Sequence, residues 1–316
     1  MTGTAVLSSR EVYRDLVAAL LPGDERLVCL DSDTGLFAGV DFGPARDRYV
    51  NLGIAEHTMM GAAAGLAKEG RRPLVNTMAA FAASRAVEAV KIDIAMNGLP
   101  VLIAATHSGV SAGHLGPTHH ALEDLAVMRT LPNMTVVAPG DAATTAALFR
   151  QAVVTSGPVY FRLGRGPTPD LPPGPSVRLG RAQVLRRGLD VTIAACGPYP
   201  VLAALEAADL LGRDGIRASV LHVHTVKPLD VATLAAWASA TGLVITVEEH
   251  WAHGGFGAAV AESLTELMPI RVHRVALPDA FVSVAGDQRH LLRRAGVTAA
   301  AVVERARSAL GRKDVW

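Results

Sequence analysis

From Ser9 to Arg162 the chain alternates short β-branched and aliphatic runs with longer stretches of helical period, as a parallel sheet wound with helices requires. Leu27–Leu30, Leu74–Asn76, Val101–Ala105, Thr135–Ala138 and Val159–Arg162 read as strands. Helices are expected over Glu11–Leu21, stopped by Pro22-Gly23, and over Ala55–Ala67, Ala83–Met96 and Ala142–Val154. In such folds the chemistry sits in loops at the carboxyl ends of the strands.

Gly166-Pro167, Pro169 and Pro172-Pro173-Gly174-Pro175 then crowd a stretch that neither a helix nor a central strand tolerates, so residues 166–180 read as a linker between domains at 1–165 and 181–316. Beyond it the alternation resumes: strands at Val191–Ala195, Ala218–His222 and Leu243–Val247, helices across Leu202–Leu211 and Val231–Ser239. The predicted fold class is α/β, with two doubly wound domains: one on a parallel sheet, and a smaller C-terminal one. No repeat of solenoid period interrupts the pattern.

Composition narrows the function classes. With 30 basic and 29 acidic side chains among 316 residues, and no basic stripe, nucleic acid is not the expected partner. Neither a leader-like start nor a membrane-length apolar run is present, so the expectation is a soluble, cytoplasmic protein with small-molecule ligands. Cys29 and Cys196 each lie in an apolar run and read as small core residues, not as a bridge or a metal pair. Abundant alanine and glycine with few aromatics leave a large subunit interface to be expected.

Two stretches can carry chemistry. In Asn51-Leu52-Gly53-Ile54-Ala55-Glu56-His57 a carboxylate opens a small-residue helix. Glu56 there either favours the helix N-terminus, worth ~0.3–1 kcal/mol, or shares a proton with a ring nitrogen of a planar ligand. The stretch Thr106-His107-Ser108-Gly109-Val110-Ser111-Ala112-Gly113-His114-Leu115-Gly116-Pro117-Thr118-His119-His120 follows a predicted strand and joins turn-forming glycines to proton-transferring imidazoles. Zinc is the competing reading, but no cysteine cluster accompanies the histidines, and Glu123 and Asp124 suit the start of the next helix.

Gly53-Ile54-Ala55-Glu56-His57, Phe81 within Asn76-Thr77-Met78-Ala79-Ala80-Phe81, and Gly116-Pro117-Thr118-His119, in that order, resemble transketolase and also 1-deoxyxylulose-5-phosphate synthase. The resemblance covers the pyrimidine-binding and C-terminal domains of that superfamily, from about Ser9 to the end. It implies thiamine diphosphate and Mg2+ as cofactors. Glu56 becomes the partner of the aminopyrimidine N1′ atom, and Phe81 the aromatic that stacks on that ring beside Met78. His107 and His119 become substrate-side catalytic histidines next to His114. Arg10 and Arg162 fall in register with arginines that grip a sugar phosphate, or else form an interface salt bridge. No metal ligand is assigned to this chain: the family's Gly-Asp-Gly motif with paired Asn occurs nowhere in it. The resemblance therefore implies a separate N-terminal, diphosphate-binding subunit in an α2β2 assembly that transfers a two-carbon ketol unit from a ketose, expected to be phosphorylated, to an aldehyde-type acceptor.

Departures from the family pattern leave other readings open. Leu115 stands where transketolases carry an Asp that reads a sugar hydroxyl, and it cannot accept that hydrogen bond. Met78 and Ser84 replace frequent aromatics, implying looser cofactor packing. The alternatives are a subunit of a thiamine-dependent 2-oxo acid decarboxylase or synthase, and a non-catalytic relative. In the second domain, Lys227-Pro228-Leu229-Asp230 and the stretch from Val247 to Gly257 read as structural contacts.

Overall fold

The computed structural model describes residues 7–311. Its first half runs α1 (Ser9–Leu20), β1 (Leu27–Asp31), β2 (Tyr49–Asn51), α2 (Glu56–Lys68), β3 (Arg72–Met78), α3 (Ala79–Ala82), α4 (Val87–Ala89), β4 (Leu102–Thr106), α5 (Asp124–Thr130), β5 (Thr135–Val137), α6 (Ala142–Ala152) and β6 (Val159–Arg162). The second half runs β7 (Gln183–Arg186), β8 (Val191–Cys196), α7 (Pro198–Arg213), β9 (Ala218–His222), β10 (Thr225–Lys227), α8 (Val231–Thr241), β11 (Leu243–Trp251), α9 (Phe256–Leu267), β12 (Arg271–Leu277), α10 (Gln288–Arg294) and α11 (Ala299–Ala309).

Local chemistry sets several boundaries. Capped by Ser8, α1 begins two residues ahead of the expected Glu11, because the side chains of Ser8 and Glu11 each accept from the other's backbone N–H. Asp141 caps α6 in the same reciprocal way with Thr144. The expected helix over Ala83–Met96 is not continuous. Ser84 Oγ bonds back to Ala80 O, Ala86 N–H reaches Phe81 O, and after α4 the chain winds as a π-helix over Val90–Ala95. Hydroxyl back-bonding and the β-branched Val87, Val90, Ile92 and Ile94 both work against a regular α-helix there.

Seven strands form the first sheet in the order β10-β5-β6-β4-β3-β1-β2, parallel except for β10. Five form the second, in the order β12-β11-β8-β9-β7, with β7 alone antiparallel. The two-sheet α/β class matches the expectation. The partition at the linker is not clean, however: β10 leaves the second half and pairs with β5 of the first sheet, stitching the halves together. Cys29 and Cys196 are free and buried. Among the described residues no helix is long and apolar enough to cross a membrane.

Where β9 hands over to β10, His222 and His224 are buried with Nε2 unpartnered, His222 Nδ1 donating to Gln183 Oε1 at 3.0 Å. Burial depresses them to about 3 and about 4. The folded state therefore binds fewer protons than the unfolded one: the contribution is fully present above about 6.5 and lost as pH falls below it. Glu248 and Glu249, raised by burial to about 7, act oppositely and offset the loss down to the ordinary carboxylate range. His222→Gln should thus gain about 2 kcal/mol over wild type between pH 7 and pH 5. Urea unfolding at the two pH values measures this, and a pH-independent difference would exonerate the buried imidazole.

Candidate functional site

The site gathers at the carboxyl ends of β3, β4 and β6, with the N-terminal turns of α1 and α2 set against them. Glu56 is the first residue of α2 and is 1 % exposed. Arg85 Nη1 donates to its Oε2 at 2.8 Å, and among the described residues no donor reaches Oε1. Arg85 also lies 4.8 Å above the Phe81 ring centroid. Phe81 in turn meets the His119 ring edge-on at 5.5 Å. Glu56, Arg85, Phe81 and His119 therefore form one line of contacts. Arg85 is not marked by the sequence: a lone arginine among alanines carries no signal until the break after α3 sets its exposed side chain against Glu56 and Phe81.

Beside Phe81 and Ser84 opens a cavity of about 140 Å³, walled also by Thr118, His120, Trp251 and Phe281. The small side chain of Ser84 stands at its edge. His120 is buried against it with neither ring nitrogen partnered. Met78, at the end of β3, is only partly buried.

The loop after β4 supplies the other half. His107 is 4 % exposed and adopts φ +58°, the left-handed region that a β-carbon disfavours. Arg10 Nη1 can only donate, so at 3.4 Å it points at a lone pair on His107 Nε2. The proton then sits on Nδ1, 3.0 Å from Thr106 Oγ1, whose own hydroxyl donates to Thr77 O. Burial first, and the Arg10 charge second, push His107 down to about 3, so it is a neutral imidazole at working pH. His119 is half-buried, with Thr118 Oγ1 at 2.9 Å from its Nδ1. His114 and Leu115 stand exposed at the rim.

Arg10 has a buried Nε with no partner. Burial and the charge of Arg165 both lower its pKa, and Arg165 is likewise felt by His107 and His114. The segment bearing Arg165 is tied to the start of α1, with Gly164 N–H donating to Ser9 Oγ and Ser8 bridging to Pro167. The guanidiniums of Arg10 and Arg165, with the imidazoles of His107, His114 and His119 around them, thus form a cationic cluster suited to an anionic, hydroxyl-rich ligand.

Arg162, for which either a phosphate-gripping or a salt-bridge role is expected, lies outside that cluster in an ion pair with Asp124. It is buried, donates to both oxygens of Asp124 at 2.7 and 3.0 Å, and donates to Glu249 O at 2.8 Å. Arg162 ends β6 facing the interior, whereas Arg165, three residues on, has left the strand and lies beside Arg10. The second domain braces the same region: His250 Nε2 accepts Ala126 N–H, and Arg129 pairs with both oxygens of Glu262.

Glu56 with an open Oε1, an aromatic ring and an adjoining cavity fit the pyrimidine end of thiamine diphosphate. Among the described residues no group of three or more His, Cys, Asp or Glu gathers to hold a metal.

Comparison with known proteins agrees with the geometry. Residues 5–170 match the family described as "Transketolase, pyrimidine binding domain", and residues 180–302 match "Transketolase, C-terminal domain". The chain is 39 % identical over 308 residues to 6-deoxy-6-sulfo-D-fructose transketolase subunit SqwH of a Clostridium species, covering 96 % of this chain and 95 % of that one. It is 38 % identical to a subunit of the apulose-4-phosphate transketolase of Phocaeicola vulgatus, covering 92 % and 94 %. A solved structure described as a split gene transketolase, inactive beta4 tetramer, superposes with a TM-score of 0.87 at 42 % identity, covering 98 % of this chain and all of that one.

Proposed function

The chain belongs to the transketolase family as a split-enzyme subunit carrying the pyrimidine-binding and C-terminal domains, and from that premise we propose how its residues share one active site with a partner. The partner is a diphosphate-binding subunit that supplies the Mg2+ site, in an α2β2 assembly. The reaction is transfer of a two-carbon ketol unit from a phosphorylated ketose to an aldehyde acceptor. The observation that supports this most is the unbroken line of contacts from the buried carboxylate of Glu56, through Arg85 and Phe81, to His119 and the cationic cluster.

Thiamine diphosphate, when bound, supplies the nucleophilic carbon that carries the two-carbon fragment between donor and acceptor. This chain's residues do the rest. Arg85 fixes one oxygen of Glu56 and leaves Oε1 to hold a proton at the ring nitrogen. Phe81 gives the ring a dry face. Neutral His107 binds a substrate hydroxyl, and His119, braced through Nδ1 by Thr118, is the histidine placed to move a proton. Arg10 and Arg165 grip the phosphate. Exposed Leu115 offers no acceptor at the rim, which favours a donor or acceptor without a hydroxyl demanding one there.

Titration calorimetry with thiamine diphosphate and Mg2+ tests the proposal. Binding is expected only when the diphosphate-binding subunit is mixed with this chain. Equal binding to this chain alone would refute the shared site, and no binding in either case would refute the cofactor assignment.

A further inference from the structure

Glu249 lies where β11 loses register with β12, between Val247 and Trp251, and is buried at the seam of the two domains. Its carboxylate ties a loop of the first domain to a helix of its own domain. Oε1 accepts Val110 N–H at 2.7 Å, and Gln288 Nε2, at the start of α10, donates to both oxygens at 3.0 and 2.8 Å. Its backbone oxygen takes the Arg162 bond already described. Val110 stands three residues after His107 in the loop that carries His107, His114 and His119.

The approach is close enough to dictate sequence. Gly109 adopts φ +61°, and a β-carbon there would sit 2.2 Å from Glu249 Oε1, so no side chain fits without displacing the carboxylate. Gly109 also exchanges both backbone hydrogen bonds with Ala121, at 3.1 and 2.9 Å, closing residues 109–121 into one loop. A second hold comes from the same region of the C-terminal domain. Gly286 N–H donates to Gly113 O at 3.0 Å, and a β-carbon on Gly113 would strike Gly286 O and Leu291. The loop is thus pinned at Val110 by Glu249 of β11, itself braced by Gln288 of α10, and at Gly113 by Gly286 just ahead of that helix. A backbone held left-handed at His107 persists only where its surroundings over-determine it.

We infer that Glu249 is a positioning residue: through Val110 N–H, and braced by Gln288, it fixes the loop that presents His107 and His119 to substrate. It touches no reacting atom. The C-terminal domain, which otherwise contributes nothing to the cationic cluster, acquires through it a role in the reaction. The role in turnover rests on the transketolase reading; the clamp on the loop does not.

Two readouts separate the two. In the isolated chain, losing a hydrogen bond to a charged group should raise amide hydrogen exchange across residues 107–121 by roughly tenfold or more in Glu249→Ala, with distant amides unchanged. Gln288→Met, which leaves the Val110 contact in place and spares the fold if Glu249→Ala does not, should raise it by a smaller factor. Glu249→Gln retains an acceptor for Val110 N–H, and Gln288 can turn its amide to match, so it should restore near-wild-type protection. In the assembled enzyme the same order is expected in kcat, with KM for the donor moving less. Unchanged exchange in a folded Glu249→Ala or Gln288→Met protein would overturn the clamp. Faster exchange with unchanged kcat would overturn its role in positioning. A wild-type assembly with no transketolase activity would refute the functional reading alone, leaving the exchange data to decide the clamp.

Discussion

Glu56→Gln is expected to lower turnover of the assembled two-chain enzyme by roughly 10²–10⁴-fold, the range that a positioned proton-sharing group contributes, while the chain stays folded. The amide has the shape of the carboxyl group and can still accept from Arg85, so the contact holding α2 to Phe81 survives. What is lost is the ability to hold and return a proton at Oε1. Arg85 is about half exposed, so water can satisfy whatever the neutral amide does not. Activity and thermal unfolding should therefore separate: kcat collapses and the midpoint hardly moves. Near-normal kcat from Glu56→Gln would remove Glu56 from the chemistry and leave it the bland role of a helix-start carboxylate. A collapse of both quantities would mark it as a folding residue.

The fold was legible in the sequence wherever burial is uniform. Val101–Ala105 and Ala218–His222 show as apolar runs because both faces of a parallel strand are covered, and both appear as strands. Legibility failed where tertiary pairing overrides local pattern. Thr225–Lys227 is too short and polar to read as a strand, yet it completes the first sheet by pairing across the domain seam. The break after α3 followed from one serine hydroxyl and a wider turn, neither of which has a periodicity.

The site divides the same way. Glu56, Phe81, His107 and His119 could be marked because they sit in short ordered motifs, and the structure brings them together. Arg85 and Glu249 act across 29 and 139 residues of chain, on Glu56 and on Val110 respectively, and nothing in a linear pattern encodes such partners. In the sequence Arg162 stands out and Arg165 does not, although no linear pattern separates the two cations. The difference is that one side chain still belongs to β6, pointing into the interior toward Asp124, while the other has passed the strand's end.

That distinction sets the second large expected effect. Arg162→Met should destabilise the chain by about 3–5 kcal/mol, because it leaves Asp124, fully buried and also bonded to the Tyr160 hydroxyl, without its counter-charge. The double variant Arg162→Met, Asp124→Leu should recover most of that loss, since a buried ion pair exchanged for apolar side chains of similar volume is often near neutral. Arg165→Met should do the reverse: its side chain is only half buried, no ion pair holds it among the described residues, and its neighbour Arg10 is relieved of a like charge by its removal. Stability should hold or rise slightly while KM for a phosphorylated donor increases. Denaturant unfolding of the three variants, with donor kinetics on those that fold, decides the assignment. If Arg162→Met kept its stability and instead raised KM, Arg162 would be the phosphate-gripping residue after all, and its pairing with Asp124 would have to open when substrate binds.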